Sequence, residues 1–489
     1  MSELVTPSTI NTPALPSMSA SSMVKHFGPG MILMMTGIGT SHLVTAPLAG
    51  AQFGYVLLWC VLASYVFKYY GFEMAFRFTH ATGRSMLDAY ATAPGKWPLW
   101  YMLVTTLIQS AVGQAGRLAA AAAVPYFIVD YYLGLTVNPG VYALVLAVVA
   151  VTIILRGRYA MFETLTKLFA GVLCVSSIIV YLVEPAPISA FRHFFIFDTP
   201  EGSILIIAAF LGLLPTGIDV SLQASEWGKA KRTGMGRLRG QLEEQGFTER
   251  FDPLTSPKSA LTVDTSKMPA DALEYCRRWF KIGILDFRLG HIISFVVACI
   301  FLILAAQWIP GSEVRGNAVM GEIAGIFTNS VGPWMMLVFL IGAFAATFST
   351  AFNYFDGWPR VVAACCRNLF ASTARLRGIA DDELTEEHRK TVSSEYNIYR
   401  ATMLFSLVTA VAIMAGVNRP VWLVLVASAL AYFIAPVIYF LNLYYCFTVI
   451  PKTDRLFYPS RFATVFGWLS LVVFTGMTGV LIWSRFFRG

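Results

Sequence analysis

Charged residues are scarce in this chain of 489 amino acids, where they make up 13% of the sequence against 56% for apolar residues. A soluble globular domain carries about 25% charged residues. The apolar residues come in long blocks, and a bilayer core about 30 Å thick requires about 20 such residues per helix. Lipid offers the backbone no hydrogen-bond partners, so these blocks must be helical. The composition therefore excludes a soluble domain and predicts an all-α integral membrane protein.

Several familiar sequence patterns are also missing. The seven cysteines form no CxxC pair, and the adjacent Cys365 and Cys366 cannot easily reach disulfide geometry, so no disulfide framework is predicted. Nucleotide-binding loops, nucleophile elbows and zinc-ligand spacings are absent, and nothing indicates an enzyme or a bound cofactor. The first 22 residues lack a basic segment followed by an apolar core, so no cleavable signal is predicted. We interpret residues 1–27 as a disordered cytoplasmic tail.

The apolar blocks predict about eleven membrane helices. We number them helix one to helix eleven and place them at residues 30–53, 55–79, 98–128, 139–156, 160–183, 203–226, 281–308, 333–364, 397–416, 420–447 and 462–485.

Basic residues are concentrated in the loops that follow even-numbered helices. The loop after helix six is the richest and includes Lys229, Arg239 and Arg277, whereas the loop after helix three, from Val129 to Pro139, has none. By the positive-inside rule the N-terminus and the loop 228–280 are cytoplasmic, in a plasma or bacterial inner membrane. The net charge of +8 thus has a topological explanation and does not indicate a nucleic-acid partner.

Two predicted helices contain glycine and proline near their centres. Helix one contains the run Thr36-Gly37-Ile38-Gly39-Thr40-Ser41-His42, and helix six contains Leu214-Pro215-Thr216-Gly217-Ile218-Asp219. Both should unwind there, and interrupted helices at matching places in two halves of a chain indicate a transporter site. The spacing predicts inverted repeats of five helices at 28–184 and 203–447, followed by an extra helix at 462–485. The alternative is that the glycines serve close helix packing.

Polar residues at these two breaks are the candidate site. Histidine titrates near neutral pH and can bind a metal, so His42 suits proton transfer or metal ligation. Asp219 is an intramembrane carboxylate, a costly group that is functional by default. Both are candidate metal ligands. The predicted substrate-binding set is Gly39, Thr40, Ser41, His42, Thr216, Gly217, Asp219 and Gln223, with Gln114, Arg117 and His291 as candidate coupling or supporting residues.

Two further features are interpreted as structural. Asp356 and Arg360 lie four residues apart beside Trp358-Pro359 in helix eight, a spacing that predicts a local ion pair or at most a gate element. The loop 228–280 mixes basic, acidic and amide side chains with few aromatic residues. We interpret it as a solvated, partly helical loop, with a regulatory module as the alternative.

With these residues the chain resembles the Nramp family of proton-coupled divalent-metal transporters. The resemblance lies in Gly28-Pro29-Gly30, the run Ala49 to Trp59, Ala81-Thr82-Gly83-Arg84, Leu211-Gly212 and Leu222 to Ser225. It covers most of the chain in helix order. It implies a LeuT-like inverted-repeat fold, alternating access, and a small ion as substrate with protons or another ion as the coupling ion.

The sequence departs from the family pattern at the metal ligands. The family's Asp-Pro-Gly-Asn motif falls on Gly39 to His42, so its two ligands are Gly39 and His42 here. Its Met-Pro-His motif falls on Thr216 to Ile218, and the soft thioether becomes a hydroxyl. The helix-ten glutamine has no counterpart, and the acidic proton route of helix three appears as Gln114 and Arg117. These departures put the binding of manganese or iron in doubt.

Three functions remain open from the sequence. Loss of the thioether could shift a metal transporter towards a hard ion such as partly hydrated Mg²⁺, with Asp219 as replacement ligand. An anion or small organic solute could instead bind the donors of the breaks, with Arg117 adding positive charge. A membrane sensor that transports nothing and signals through the loop 228–280 is the third. The oligomeric state is not predicted.

Overall fold

A computed structural model describes residues 10–28, 30, 37–157, 159–311, 319–370, 386–417 and 419–487, and within these ranges it contains helices and loops but no strand. The described helix one consists of a π-helical turn, Ser41–Thr45, and Ala46–Phe53. Helices two to five are, in chain order, Leu58–Thr82, Trp97–Leu133 with a π-turn at Gln109–Gly113, Pro139–Leu155 and Tyr159–Val183. Helix six has two parts, Ile204–Leu213 and Val220–Lys231. Helices seven to eleven are Ala270–Trp308, Met335–Phe370, Glu386–Gly416, Pro420–Val449 and Arg461–Phe487.

Length and apolarity support most of these helices as membrane spans. Six of the helices in the described ranges are long and apolar enough to cross a bilayer, namely those of predicted helices three, seven, eight, nine, ten and eleven. Pro139–Leu155, Gly171–Val183 and Ile204–Leu213 are shorter apolar helices. Helix two is long but carries Lys68, Glu73 and Arg77, all buried. The all-helical membrane fold predicted from the composition is confirmed.

Helix packing brings the two interrupted helices to the middle of the bundle. Helix one packs mainly on helix seven, and the first half of helix six packs on helix ten. Helix two contacts helices six, seven, ten and eleven, while helix eight contacts helices three, five, six and nine. Helices two and eight therefore both pack on helix six, and they supply Tyr65, Lys68, Tyr354 and Trp358, which are described below.

The helices differ from the predicted ones in several places, including helix nine, which begins at Glu386, eleven residues before its predicted start. Helix three is not continuous, because the π-turn Gln109–Gly113 interrupts it. Helix seven begins at Ala270, eleven residues before its predicted start, so its first eleven residues belong to the segment predicted as the loop 228–280. A helix at Val319–Ser330 was not predicted. The tail predicted as disordered contains a helix at Ala20–His26; residues 1–9 lie outside the described ranges.

The loop 228–280 is packed rather than simply solvated, and this corrects the sequence-based interpretation. Its helix Met235–Glu244 buries Met235, Leu238 and Leu242. The guanidinium of Arg239 donates to the backbone oxygens of Thr82, Ala260 and Leu261, which ties the loop to the end of helix two. A buried arginine with several carbonyl partners fixes a loop because leaving it unpaired is costly.

Candidate functional site

Helix six is interrupted between Leu213 and Val220, as predicted. Pro215 has no N–H, so the chain cannot continue the helical ladder there. The break frees the backbone oxygens of Gly212, Leu214 and Thr216. All three accept hydrogen bonds from the ammonium of Lys68 on helix two, at 2.9, 2.7 and 2.6 Å. We call these three oxygens the carbonyl cage.

Helix one contacts the helix-six break directly. A Cβ atom added to Gly37 would lie 1.7 Å from the backbone oxygen of Pro215, and one added to Gly39 would lie 2.0 Å from the hydroxyl of Thr350 on helix eight. Only glycine allows backbones to approach so closely. The prediction that helix one unwinds at 36–42 is only partly met in the described residues: Ile38 and Gly39 form a turn, but Thr40 has helical dihedral angles and Ser41–Thr45 is a π-helical turn. We call this irregular segment, residues 37–45, the helix-one break, and it is in contact with the helix-six break.

His42 is completely buried, and both of its ring nitrogens have protein partners. Nδ1 lies 2.7 Å from the backbone oxygen of Gly37, and Nε2 lies 2.9 Å from the Tyr65 hydroxyl and 3.0 Å from the backbone oxygen of Ser294. Ser41 also donates to Gly37, over 2.9 Å. These contacts turn His42 towards helices two and seven, where it locks the helix-one break.

Asp219 has a different environment, on the side of helices three and eight. Its carboxylate accepts a hydrogen bond from the indole of Trp358 over 3.1 Å and interacts electrostatically with Arg117 and Lys68. Gly217 leaves room for that carboxylate, since a Cβ there would lie 2.2 Å from Asp219 Oδ1. His42 and Asp219, predicted as joint metal ligands, thus belong to separate groups of contacts.

Arg117 lies against the aromatic side chains of helix eight. Its guanidinium carbon lies 3.5 Å from the ring centre of Tyr354 and 4.6 Å from that of Trp358, and it donates to the backbone oxygen of Gly113 over 2.8 Å. Such cation–π contacts hold a cation in a desolvated position. The π-turn in helix three includes Gly113, so it provides one of the groups that hold this arginine.

Several buried amide and hydroxyl groups on helices one, three and six have no hydrogen-bond partner among the described residues. They include the Thr40 hydroxyl, both polar atoms of the Gln109 and Gln223 amides, and the oxygen of Gln114, whose nitrogen donates to Ala351. Leaving a buried polar group unpaired costs about 1–3 kcal/mol. Groups of this kind are expected to bind water or a substrate.

His291 lies apart from Arg117. Its Nε2 is 3.0 Å from the backbone oxygen of Tyr65, and its ring packs on the rings of Tyr65 and Tyr69. It therefore adjoins His42 rather than the Arg117 side of the bundle. The predicted pair of Asp356 and Arg360 is present at 2.7 Å, and Asp356 also accepts hydrogen bonds from Trp227 and Tyr399.

Three site residues were missed from the sequence: Lys68, Tyr354 and Trp358. Lys68 carried a usable signal, because a lysine near the middle of a predicted membrane helix is functional by default, although Glu73 and Arg77 lie on the same helix. Tyr354 carried none, since aromatic residues are frequent throughout the chain. Trp358 was named from the sequence only as a neighbour of Asp356 and Arg360. Within the described ranges, no three His, Cys, Asp or Glu residues come together as metal ligands.

Comparison with known proteins gives consistent results. A family model described as natural resistance-associated macrophage protein-like matches residues 30–484. An uncharacterised protein of Pasteurella multocida is 23% identical over 344 residues, which is 68% of each chain. A manganese transporter of Eremococcus coleocola is similar in fold, with a TM-score of 0.63 at 12% identity over 99% of this chain and 92% of that one. Mhp1, a nucleobase-cation-symport-1 transporter, has a TM-score of 0.52 at 12% identity over 98% and 96%.

Proposed function

This chain belongs to the natural resistance-associated macrophage protein-like (Nramp) family, and we propose that it moves a small ion by alternating access through the breaks of helices one and six. The family is one of metal-ion transporters, so the chain is an integral membrane transporter and not an enzyme. Its fold is that of the LeuT-like transporters, in agreement with the sequence-based expectation.

One observation carries our proposal for the cargo: Asp219 interacts electrostatically with two buried cations, Lys68 and Arg117. A divalent ion bound directly to this carboxylate would be repelled by both cations at low dielectric. The thioether that favours transition metals is replaced by the Thr216 hydroxyl, which bonds Tyr354 at 2.9 Å. We therefore propose that the site does not strip a transition-metal ion of its water.

Family membership supports a divalent metal as cargo, and the unpaired polar groups support a hydrated one. Thr40, Gln114 and Gln223 offer hydroxyl and amide oxygens that can contact a cation through water. Mg²⁺ loses its water reluctantly and usually keeps several water molecules when it binds to proteins. A hydrated divalent ion of the Mg²⁺ class, coupled to a proton exchanged at Asp219, is the cargo we propose.

The charge of Arg117 favours a second candidate, a solute with an anionic group. The guanidinium is held by two aromatic rings and one backbone oxygen, so some of its N–H groups remain for a carboxylate-like ligand. Such a ligand would compensate the positive charge that Lys68 and Arg117 together bring to the site. Flux measurements separate the two candidates.

Flux into proteoliposomes provides the test, with Mg²⁺, Mn²⁺ and small carboxylates offered in turn under an imposed pH gradient. We expect Mg²⁺ flux that Asp219→Ala abolishes and that Asp198→Asn, a change at an exposed carboxylate in the loop after helix five, leaves unchanged. Carboxylate flux without Mg²⁺ flux would replace the first candidate by the second. Folded protein that moves none of these substrates would favour a sensor.

The basic residues in the loops support a topology that is also part of the proposal. A cytoplasmic N-terminus would put the packed loop 228–280, together with helix Ala20–His26, on the cytoplasmic side. The backbone N–H of Asn11 donates to the side-chain oxygen of Gln241 over 2.7 Å, which joins the tail to that loop. Both would then close the same face of the transporter.

A further inference from the structure

Lys68 is an intramembrane cation whose partners are backbone oxygens. Its side chain is fully buried, near the middle of helix two. The Nζ atom lies 2.6–2.9 Å from the three oxygens of the carbonyl cage. An ammonium has three N–H donors, so three carbonyls satisfy it completely. The nearest ring, that of Phe72, lies 5.9 Å away and adds a cation–π contact.

The carbonyl cage has the properties of a cation site. Its oxygens come from the C-terminal end of Ile204–Leu213 and from the unwound segment that follows, so the helix dipole adds negative potential there. Unwound carbonyls and half-helix ends of this kind coordinate alkali cations in transporters with broken helices. Here the position of such an ion is taken by the side chain of a neighbouring helix.

We infer that the carbonyl cage is a monovalent-cation site that the chain fills with its own Lys68. The ammonium holds the helix-six break in shape and offsets the charge of Asp219, with which it interacts electrostatically. In a variant without Lys68, a free Na⁺ or K⁺ bound in the carbonyl cage would hold the helix-six break in shape and offset the charge of Asp219. One consequence for ion coupling rests on the proposed function: a transporter whose cation site is filled by Lys68 needs no alkali ion for its transport cycle.

Removing the ammonium tests this inference. We compare purified wild type, Lys68→Met and Lys281→Met, the last of which removes an exposed lysine on helix seven and controls for one lost charge. Thermal unfolding is measured in choline chloride with increasing NaCl or KCl at constant ionic strength. We expect Lys68→Met to unfold at a lower temperature in choline and to gain about 2 °C or more, saturably, with Na⁺ or K⁺. Wild type and Lys281→Met should show no such gain.

The outcomes are decisive in either direction. If Lys68→Met is folded and gains no stability from either ion, the cage is not a cation site, and the inference is wrong. An equal gain in wild type would also overturn it, because the cage would then not be occupied by Lys68. If Lys68→Met cannot be purified, Lys68→Gln, which keeps two donors, takes its place under the same two criteria. The measurement needs no transport, so its failure is distinct from failure of the proposed function.

Discussion

The hydroxyl of Tyr354 lies 2.9 Å from the hydroxyl of Thr216, and this hydrogen bond joins helix eight to the helix-six break. The same tyrosine ring carries the guanidinium of Arg117 on its face. A change at Thr216 therefore reaches the buried cation of helix three through one aromatic ring. Both residues are almost completely buried, so water does not replace the bond readily.

Thr216→Val is predicted to weaken transport without unfolding the protein. Thr216 belongs to the predicted substrate-binding set, and losing a hydrogen-bond partner of the substrate costs about 1–3 kcal/mol, or roughly a tenfold to hundredfold loss of apparent affinity. The change also removes the hydrogen bond to Tyr354. The apparent affinity is measured from the dependence of flux into proteoliposomes on substrate concentration. Thr409→Val is the matched control, because that hydroxyl bonds only within its own helix, to the backbone oxygen of Phe405. Wild-type flux in Thr216→Val would move the site away from this break.

Asp219→Asn is predicted to change the pH dependence of transport. The carboxylate offsets part of the positive charge of Lys68 and Arg117, and its removal also takes away the group proposed to exchange a proton. Flux measured from pH 5 to pH 8 should lose its dependence on the pH gradient, whereas Asp198→Asn should keep it. A profile identical to that of wild type would assign proton exchange to another group.

Tight binding of Mn²⁺, Fe²⁺ or Cd²⁺ is predicted to be absent. Thr216 supplies no thioether, Gly39 supplies no carboxylate, and both nitrogens of His42 have protein partners. Calorimetry on purified protein checks this directly. Micromolar Mn²⁺ binding would mean that His42 leaves Gly37 and Tyr65 and rebuilds a site with Asp219.

Stability of the packed loop is predicted to fall in acid through Glu243. Burial raises the pKa of this carboxyl, but its ion pairs with Arg84 and Arg239 outweigh that effect and leave the pKa below its ordinary value. The ionised form is therefore favoured by folding. Its contribution is present above the unfolded-state value of 4.5 and is lost as the pH falls through the lower folded-state value.

The matched variant for this prediction is Glu243→Gln. At pH 7 it should lower the free energy of unfolding by about 1–3 kcal/mol. The difference from wild type should shrink as the pH is lowered below 4, provided that unfolding is reversible. A difference that stays constant with pH would mean that the ion pairs do not contribute.

The predicted topology can be checked by cysteine labelling. Glu244→Cys places an exposed thiol in the loop 228–280, and Thr136→Cys places one in the loop after helix three. An impermeant maleimide applied to intact cells should label Thr136→Cys and leave Glu244→Cys unlabelled until the cells are opened. Labelling of Glu244→Cys from outside would reverse the orientation.

The candidate site was only partly predictable. The helix-six break could be predicted because glycine and proline act on the local backbone whatever surrounds them. In helix one the glycines gave a turn and a π-helical segment instead of a fully unwound stretch. The repeat pattern predicted that the two segments share one site, but not the close approach of Gly37 to Pro215. The direction in which His42 points was not predicted either, because it is set by Tyr65 and Ser294 on other helices.

The sequence by itself determined the membrane class, the order of the helices, the helix-six break and the family, because long apolar blocks and helix-breaking residues act locally. Only the tertiary structure decided that Lys68 fills the carbonyl cage, that Asp219 bonds Trp358 and that Arg117 lies on Tyr354. These pairs join residues more than 130 positions apart. Local pattern carries no information about such pairs, because they depend on which helix faces meet once the bundle has packed.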